Sequence, residues 1–363
     1  MISPRVSVII PAYNSAWSIS RTLQSIQHQT LKDFEVIVVN DGSTDDLEDI
    51  LEPFLADARI RVVRQENSGL AASRNRGISE AKAPLVAPID ADDLWHPEFL
   101  EETVPALEKD DSAPFAFSYF FRIDEHDRLL PFTPPDAPPR HDFLGLLCLN
   151  SVGCGSAAVY RKDLILRVGG YDVALGKRGL PGAEDWKLIL HLAKLGEPIM
   201  IERLLTGYRI TAGSMSQSRP QRQHRAVLAV IHEIGREMPD VSRRALADAR
   251  TMMAAWLLPA YARNKMFGRF IGHLFKAYAL NPFWFTNPLL RDAHRRWLVT
   301  QWRALSRAVV PASDVLPHLS GVCFEGKYPF DYLVHSGRNG GPTDAGASDV
   351  VLHMRDGAVR DTP

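Results

Sequence analysis

Three carboxylates in four residues, Asp90-Ala91-Asp92-Asp93, directly follow an apolar run, 85–89, that is typical of a buried strand. Carboxylates held this close repel one another and raise each other's pKa unless a cation compensates them. A divalent metal that binds carboxylate and phosphate oxygens supplies that compensation. The alternative is a solvated strand-to-helix loop in which Asp93 stands near the N-cap of the next helix. The cluster thus suggests a metal–phosphate site and, with it, a nucleotide-linked substrate.

Polar, glycine-bearing segments also follow the earlier strands. Apolar runs alternate with helical patterns over the first 90 residues, which indicates βαβ units and a mostly parallel sheet. Right-handed crossovers place the carboxyl ends of such strands on one edge, where ligands bind in open α/β sheets. The segments expected at that edge are Pro11-Ala12-Tyr13-Asn14, Asp41-Gly42-Ser43, Gln65-Glu66-Asn67 and the Asp90 cluster.

Several of these side chains suit parts of a nucleotide. Tyr13 offers a flat face on which a base can stack, unless it is only a packing residue at a strand end. Asp41 can accept hydrogen bonds, although Asp-Gly is also a common turn pair. Arg74 is expected one turn into a helix that follows Asn67 and Gly69, where it can reach a phosphate. The alternative there is an ordinary capped helix with a surface Arg.

A further acidic pair, Glu184-Asp185, is expected at the start of a helix. A helix N-terminus stabilises an ionised carboxylate, so Asp185 would be available as a base. The alternative is simple capping, since acidic residues are common in a first turn. Trp186 is either an apolar platform for a sugar ring or a core residue.

Six blocks in a fixed order resemble the motif series of family 2 glycosyltransferases with the GT-A fold. The blocks are Val8–Asn14, Val38–Asp45, Asn67–Gly77, Asp90–Asp93, Gly169–Asp172 and Glu184–Trp186. The resemblance covers roughly residues 5–215, and the order of the blocks makes it specific. It implies an α/β, GT-A type domain, with a Rossmann-like, mostly parallel sheet flanked by helices, in an inverting, metal-dependent hexosyltransferase.

The resemblance also implies a role for each candidate residue. Asp185 would deprotonate the acceptor hydroxyl, which then attacks the anomeric carbon in one displacement. Asp92, with Asp93, would face the Mg²⁺ or Mn²⁺ that bridges the diphosphate and neutralises the leaving group. The nucleotide-sugar would contact Pro11, Ala12, Tyr13, Asn14, Asp41, Gly42, Asn67, Gly69, Arg74, Asp90, Ala91, Glu184, Trp186 and Arg209.

The closing block, Tyr208–Ser216, departs from the family pattern at Thr211, where the family often has His. That His can serve as an extra metal or phosphate contact. Its replacement puts a third protein ligand in doubt, and Arg209 or Ser214 could partly substitute.

Charge divides the 363-residue chain into three expected regions. Residues 1–218, the expected GT-A domain, are net acidic, whereas residues 219–310 carry 16 Lys and Arg against 5 Asp and Glu. Basic residues mixed with large apolar groups on helices favour an anionic membrane surface or a partner groove. The alternative is a helical appendage packed on the catalytic domain. Residues 311–363 are expected to form a loosely structured tail.

Other sequence features limit the compartment and the class. Three cysteines at 148, 154 and 323 match no zinc template and argue against a disulfide framework, which fits a reducing compartment. The sequence shows no signal peptide, no apolar run long enough to span a membrane and no nucleic-acid reader motif. We therefore expect a cytoplasmic protein, peripheral at most on the inner face of the membrane, that binds no nucleic acid.

Together these features predict sugar transfer from a nucleotide diphosphate donor, UDP-linked by preference, to a hydroxyl of a glycan or lipid-linked acceptor. Polysaccharide or envelope glycan synthesis is the setting that the resemblance implies. One alternative is a catalytically degenerate GT-A fold that serves as a binding or scaffolding module. A nucleotidyltransferase is a weaker alternative, because no Gly-rich phosphate loop follows the first strand.

Overall fold

The computed structural model describes residues 3–130, 140–180, 182–211, 220–263 and 281–286, with scattered further positions between 268 and 291. The predicted tail at 311–363, and Ser214 of the closing block, lie outside the described residues. The strands are β1 (Val6–Ala12), β2 (Phe34–Asn40), β3 (Ile60–Arg64), β4 (Leu85–Pro88), β5 (Leu94–Trp95), β6 (Phe115–Ile123), β7 (Ala158–Arg161) and β8 (Ile199–Arg209). The helices are α1 (Ile19–Gln27), α2 (Leu47–Leu51), α3 (Leu70–Glu80), α4 (Phe99–Lys109), α5 (Phe143–Cys148), α6 (Lys162–Arg167), α7 (Val173–Lys177), α8 (Glu184–Ala193), α9 (Pro220–Glu237) and α10 (Arg243–Arg263).

The eight strands form one sheet in the order β3-β2-β1-β4-β7-β6-β8-β5. The first four are parallel to one another, so the carboxyl ends of β1, β2, β3 and β4 meet at one edge. The far half is mixed, since β7 runs antiparallel to both β4 and β6 while β8 runs parallel to β6. The predicted GT-A type sheet is therefore present, with its parallel order confined largely to the half formed by β1 to β4.

Both faces of the sheet are covered by helices. Every residue of β1 and β2 is buried, as expected for strands packed on both sides. In β1, Val8 and Ile10 join one hydrophobic cluster with α1, α2 and α4, while Ile9 joins the other with α3, α6 and α8. In α1 the buried Ile19, Leu23 and Ile26 recur at helical spacing.

The two long C-terminal helices belong to the same core. Val230, Ile231 and Ile234 of α9 and Ala249 of α10 are buried in the cluster that also contains Leu188 of α8. The expected boundary after residue 218 is thus not a boundary of the hydrophobic core. In the described part of the chain, no helix combines the length and the apolar character needed to cross a membrane.

Candidate active site

The loop after β2 and the loop after β3 are joined through Asp41. Its Oδ1 accepts hydrogen bonds from the Gln65 side chain at 2.7 Å and from the Ser68 backbone N–H at 2.8 Å. Its Oδ2 accepts from the Gly69 N–H at 2.9 Å, just before α3 begins. Gly42 and Gly69 adopt φ values of +71° and +88°, which glycine tolerates best. Asp41 therefore organises the edge where it was expected, beyond the role of a turn former.

The end of β1 is tied to the same region by Asn14, which lies in the left-handed region with φ +49°. Asn is among the few residues that adopt this conformation readily. Its Oδ1 accepts from the Thr44 N–H at 2.8 Å, and its own N–H donates to Ser43 Oγ at 3.1 Å. The preceding Tyr13 is 52 % exposed, so its ring is accessible at the rim of the edge. Pro11 and Ala12 are buried inside β1 and offer only backbone atoms.

The first residues of the acidic cluster are held at the end of β4. The Asp90 N–H donates to Ser156 Oγ at 3.0 Å, and Asp90 Oδ1 accepts from Arg74 Nη2 at 2.6 Å. The Ala91 carbonyl accepts from Ser18 at 2.9 Å and from Thr22 at 3.0 Å, so α1 fixes the turn. The cluster is thus anchored by Ser156 and α1 through its backbone and by Arg74 of α3 through the Asp90 side chain.

Asp92 keeps a part-exposed carboxylate in this turn. Burial, followed by repulsion from Asp90, raises the pKa of Asp92 to about 6, although Arg209 acts in the opposite direction. A carboxylate with this environment gains stability when a cation neutralises it. Asp92 is therefore the member of the cluster best suited to hold a metal.

Asp93 does not fit the predicted metal role. Its side chain is fully buried, with Oδ2 accepting from Ser156 Oγ at 2.5 Å and Oδ1 accepting from the Arg209 N–H at 2.8 Å. Burial and the neighbouring Asp92 and Asp90 raise its pKa well above the usual range. Asp93 points into the protein and fastens the cluster to the end of β8.

Arg209 is likewise structural in this conformation. Its guanidinium is 0 % exposed; Nε donates to the Asp92 carbonyl at 2.6 Å, Nη1 donates to the Asp124 carbonyl at 2.6 Å, and Nη2 pairs with Asp127. The predicted contact of Arg209 with substrate, or its substitution for the missing His, is not supported by this placement because the guanidinium is fully buried and Nε, Nη1 and Nη2 each contact a protein oxygen. Sequence spacing could not reveal this, since the partners lie about a hundred residues away.

Arg74 is buried between two carboxylates instead of lying on the surface. Its side chain is 3 % exposed, donates to Asp90, and approaches Glu184 Oε1 at 3.6 Å. Burial alone would lower the pKa of Arg74, but Asp90, Tyr171 and Glu184 outweigh it and raise that pKa. The expected direct contact with a phosphate is not favoured by this placement. Arg74 connects the acidic cluster to the start of α8.

The start of α8 presents Asp185 and buries Glu184. Glu184 Oε2 accepts from the Gly182 N–H at 2.7 Å and the Ala183 N–H at 3.0 Å, so it caps the turn and is not exposed to a substrate. Asp185 is half-buried and accepts from the Trp186 N–H at 2.7 Å. Burial and Glu184 raise the pKa of Asp185 to about 6, against the effect of Arg74. A carboxylate with this pKa is ionised at neutral pH and can accept a proton.

Trp186 is a core residue and not a sugar platform. It is 3 % exposed, and its indole N–H donates to the Leu146 carbonyl at 2.9 Å. Two residues without an assigned site role in the sequence also shape the site: Ser156 and Asn75. Asn75 stands inside one of the motif blocks, but no sequence signal marks Ser156.

The donor set fits a divalent metal that is completed by a ligand. Among the described residues, no group of three or more His, Cys, Asp or Glu side chains is arranged to hold a metal by itself. Asp92 supplies one hard oxygen ligand with an electrostatic need for a cation, and diphosphate oxygens are the usual remaining ligands of Mg²⁺. Thr211, which replaces the family's common His, is part-exposed just after β8.

Residues 7–169 match the family model described as Glycosyl transferase family 2. EpsH of Bacillus subtilis, named as a glycosyltransferase, is 42 % identical over 103 residues, which cover 28 % of this chain and 30 % of EpsH. Glycosyltransferase GlyG of Streptococcus pneumoniae is 34 % identical over 128 residues, covering 35 % and 42 %. The matched segment thus spans less than half of either relative.

Solved structures share the fold over a longer stretch. TarS 1–349 of Staphylococcus aureus, solved in complex with UDP-GlcNAc, has a TM-score of 0.57 at 20 % identity and covers 80 % of this chain and 87 % of that one. The mannosyltransferase PcManGT of Pyrobaculum calidifontis, solved with GDP-Man and Mn²⁺, has a TM-score of 0.54 at 21 % identity, covering 85 % and 87 %. At these identities the likeness establishes the GT-A fold alone.

Proposed function

We propose, from the match of residues 7–169 to the glycosyl transferase family 2 model, that the chain is an inverting transferase for a nucleotide diphosphate sugar. The observation that carries the proposal is the pair of part-exposed carboxylates, Asp92 and Asp185, each with a pKa of about 6. The buried Arg74 connects their neighbourhoods, because it pairs with Asp90, two residues before Asp92, and approaches Glu184, the residue before Asp185. Asp92 is suited to bind a cation, and Asp185 is suited to accept a proton.

The proposed reaction is a single displacement. Asp185 takes the proton of an acceptor hydroxyl, and the oxygen forms a bond to the anomeric carbon as the bond from that carbon to the diphosphate breaks. The nucleoside diphosphate departs with the bonding electron pair, and the configuration at the anomeric carbon inverts. The half-buried position of Asp185 at the start of α8 limits water around it and raises its pKa only to about 6, so the carboxylate is still ionised at neutral pH and can accept a proton.

Mg²⁺ or Mn²⁺ is the proposed cofactor, held by Asp92. Bound there, it would supply positive charge to the leaving diphosphate. Support comes from the raised pKa of Asp92 and from the Mn²⁺ found with the fold relative PcManGT. Asp90 is proposed to contact the nucleoside, because one of its oxygens is already engaged by Arg74 and its side chain stays 27 % exposed.

UDP is the preferred nucleotide, since TarS binds UDP and UDP-GlcNAc, although PcManGT binds GDP-Man. Asp41 and the exposed Tyr13 are the proposed base contacts, with Asn14, Gly42, Asn67 and Gly69 around them. The proposed acceptor is a hydroxyl of a glycan or lipid-linked intermediate in polysaccharide or envelope glycan synthesis. We also propose a cytoplasmic site of action, with no nucleic-acid partner.

Contact with an anionic membrane surface is proposed for the basic C-terminal region. Phe275, Phe283 and Phe285 are 77 %, 62 % and 51 % exposed, in a region whose sequence carries a strong excess of Lys and Arg. Exposed aromatic groups beside cationic ones favour the interface of an anionic bilayer.

A degenerate fold that only binds ligands is the competing proposal, favoured by Thr211 in place of the family's common His. Calorimetry and kinetics together distinguish the transferase from the degenerate fold. The transferase should bind UDP more tightly with Mn²⁺ than without it and should release UDP from a UDP-sugar. Asp185→Asn should keep UDP affinity and lose release by about 10³-fold or more. Binding without release from any of a panel of UDP- and GDP-sugars, with a panel of acceptors, would favour the degenerate fold.

A further inference from the structure

Helix α9 holds the loop that leads into the base-bearing helix. Arg178, at the end of α7, pairs with Glu233 of α9 at 2.6 Å, and Arg222 Nε donates to the Gly179 carbonyl at 3.1 Å. Both contacts lie in the segment between Tyr171 and Glu184. The loop thus rests on a helix that lies outside the matched family segment.

Lys187 is the centre of these contacts. It lies in the first turn of α8, two residues after Asp185, and its side chain is 12 % exposed. Its Nζ donates to Asp172 Oδ2 at 2.8 Å and Glu233 Oε2 at 2.7 Å, and it lies 3.3 Å from Glu237 Oε1. Burial alone would lower the pKa of Lys187, but Asp172 and Glu233 outweigh it and raise that pKa.

The contact with Asp172 leads back to the donor side of the site. Asp172 Oδ1 accepts from the Ala174 N–H at 2.8 Å and caps α7. The residue before it, Tyr171, forms two hydrogen bonds with the Asn75 side chain. Asn75 accepts from the Tyr171 N–H and donates to the Tyr171 carbonyl, each at 2.8 Å. Asn75 is the neighbour of Arg74 in α3. Lys187 therefore joins α9, the loop before α8 and the helix beneath the acidic cluster.

We propose that Lys187 is a positioning residue for Asp185, and that through its contact with Glu233 helix α9 is a part of the catalytic unit. This inference rests on the proposed function. The first turn of α8 carries both the proton acceptor and the lysine, so a shift of this turn against the loop moves the Asp185 carboxylate. A displacement of about 1 Å from a productive geometry can cost on the order of 100-fold in rate.

Charge explains why the lysine cannot simply be replaced by an apolar residue. Without it, Asp172, Glu233 and Glu237 would face one another; among the described residues Arg178 pairs with Glu233, and His191, whose pKa is lowered by burial, lies 3.0 Å from Glu237. Removing one partner from a mostly buried ion cluster leaves uncompensated charge, and the loop relaxes to separate the carboxylates. The acidic network at Asp90 and Asp92 is held by other residues and stays in place.

The test compares Lys187→Met with Lys194→Met. Lys194 lies at the other end of α8 and pairs with Asp240 just after α9, so the same substitution removes an ion pair between the same two segments without touching Asp172. Lys187→Met should lower kcat by about 10-fold or more, while the KM for the donor and the Kd for UDP with Mn²⁺ change by less than about 2-fold. Lys194→Met should leave all three within about 2-fold.

Glu233→Gln is the second variant, because it removes the α9 end of the contact and keeps the lysine. It should reproduce the loss of kcat in part, and Lys187→Arg should restore part of the kcat that Lys187→Met loses. Equal kcat for Lys187→Met and Lys194→Met, or a parallel loss of kcat and UDP affinity, would overturn the inference. If the wild-type protein shows no transfer at all, the proposed function fails instead, and UDP calorimetry on the same samples tells the two cases apart.

Discussion

Asp92 and Asp185 show how partial burial sets the pKa of a carboxylate. Each has a pKa of about 6, above the ordinary value for Asp, because burial disfavours the charge and a neighbouring carboxylate adds repulsion. Asp93, one residue further on and fully enclosed, is used instead as a structural anchor between Ser156 and Arg209. The enclosed Asp93 therefore differs in role from the two part-exposed carboxylates because it differs in exposure.

The pH dependence of transfer should follow Asp185. Only its ionised form can accept the acceptor proton, so kcat should fall about tenfold per pH unit below pH 6 and level off above about pH 7. Single-turnover rates at saturating donor and Mn²⁺, from pH 5 to 8, measure this. A flat profile across that range would contradict the assignment, and a fixed UDP occupancy at each pH is the necessary control.

As the pH rises through about 6, ionisation of Asp92 should lower the stability of the metal-free protein, whereas the transfer rate should rise over the same range. The folded-state pKa of Asp92 exceeds the unfolded value, so the stability linked to this group is present below about pH 4 and is lost as the pH rises through about 6. Asp92→Asn removes that loss, which is up to about 3 kcal/mol at pH 7.5. We expect a higher Tm for this variant in EDTA, with the gain shrinking towards pH 4.

The same variant should lose the Mn²⁺-dependent part of UDP binding, because the carboxylate proposed to hold the cation is gone. Asp111→Asn, at a side chain that is 96 % exposed, serves as the control and should change neither Tm nor UDP affinity. An Asp92→Asn protein with unchanged Tm and unchanged Mn²⁺-dependent binding would show that the cation is held elsewhere.

At the scale of elements, hydrogen bonds between the loops position the residues of the candidate site. Asp41 fastens the β3–α3 loop, Asn14 fastens the β1 and β2 loops, and Asn75 fastens Tyr171. Gly170 precedes Tyr171 and packs against the Asn75 side chain. It has φ +75°, and a Cβ placed on it would lie 2.6 Å from Asn75 Oδ1.

Gly170→Ala should therefore both strain the backbone and push Asn75 away from Tyr171. Its neighbour Gly169 has φ +89° but would place a Cβ in open space, so Gly169→Ala isolates the backbone cost. We expect that cost to be about 1–2 kcal/mol in each case, with a further loss on the order of 1 kcal/mol for Gly170→Ala. Urea unfolding curves measure the difference, and equal midpoints would mean that Asn75 yields without cost.

The secondary-structure elements were more predictable from the sequence than the side-chain contacts between them. The βαβ alternation, the edge that gathers the strand ends, and the start of α8 at Glu184 all follow from apolar periodicity and capping, which are local signals. The burial of Arg74, Arg209 and Trp186 depends on residues far along the chain, and no spacing rule reaches them. A polar residue in a motif could not be assigned from sequence to a ligand or to the protein interior.

At the scale of the whole molecule, α9 and α10 complete the hydrophobic core that also contains α8, the helix that carries Asp185. Ile234→Ala, at a fully buried position of α9, should lower the free energy of unfolding by about 2–4 kcal/mol. His232→Ala, on the exposed side of the same helix, should change it by less than about 0.5 kcal/mol. A single cooperative transition for the destabilised protein is expected; two separate transitions would show that α9 and α10 fold apart from the sheet.

Membrane contact is the property of the whole molecule that the exposed aromatic residues predict. The protein should sediment with vesicles that contain phosphatidylglycerol and should not sediment with pure phosphatidylcholine vesicles, and salt should weaken the binding. Replacing Phe283 and Phe285 together by Ser should reduce binding at least about tenfold, at an unchanged Tm because both side chains are exposed. Binding that is independent of anionic lipid, or no binding, would contradict the proposal.

The close approach of Gly155 to Arg74 has a consequence for changing this protein by design. A Cβ on Gly155 would lie 2.8 Å from Nη2 of the buried guanidinium, so the two positions share one volume. Neither residue can be exchanged for a different size alone: Gly155→Ala displaces the guanidinium from Asp90, while a shorter residue at 74 leaves a void. Libraries that alter this edge should therefore vary positions 74 and 155 as a pair, and substitutions there should be strongly non-additive.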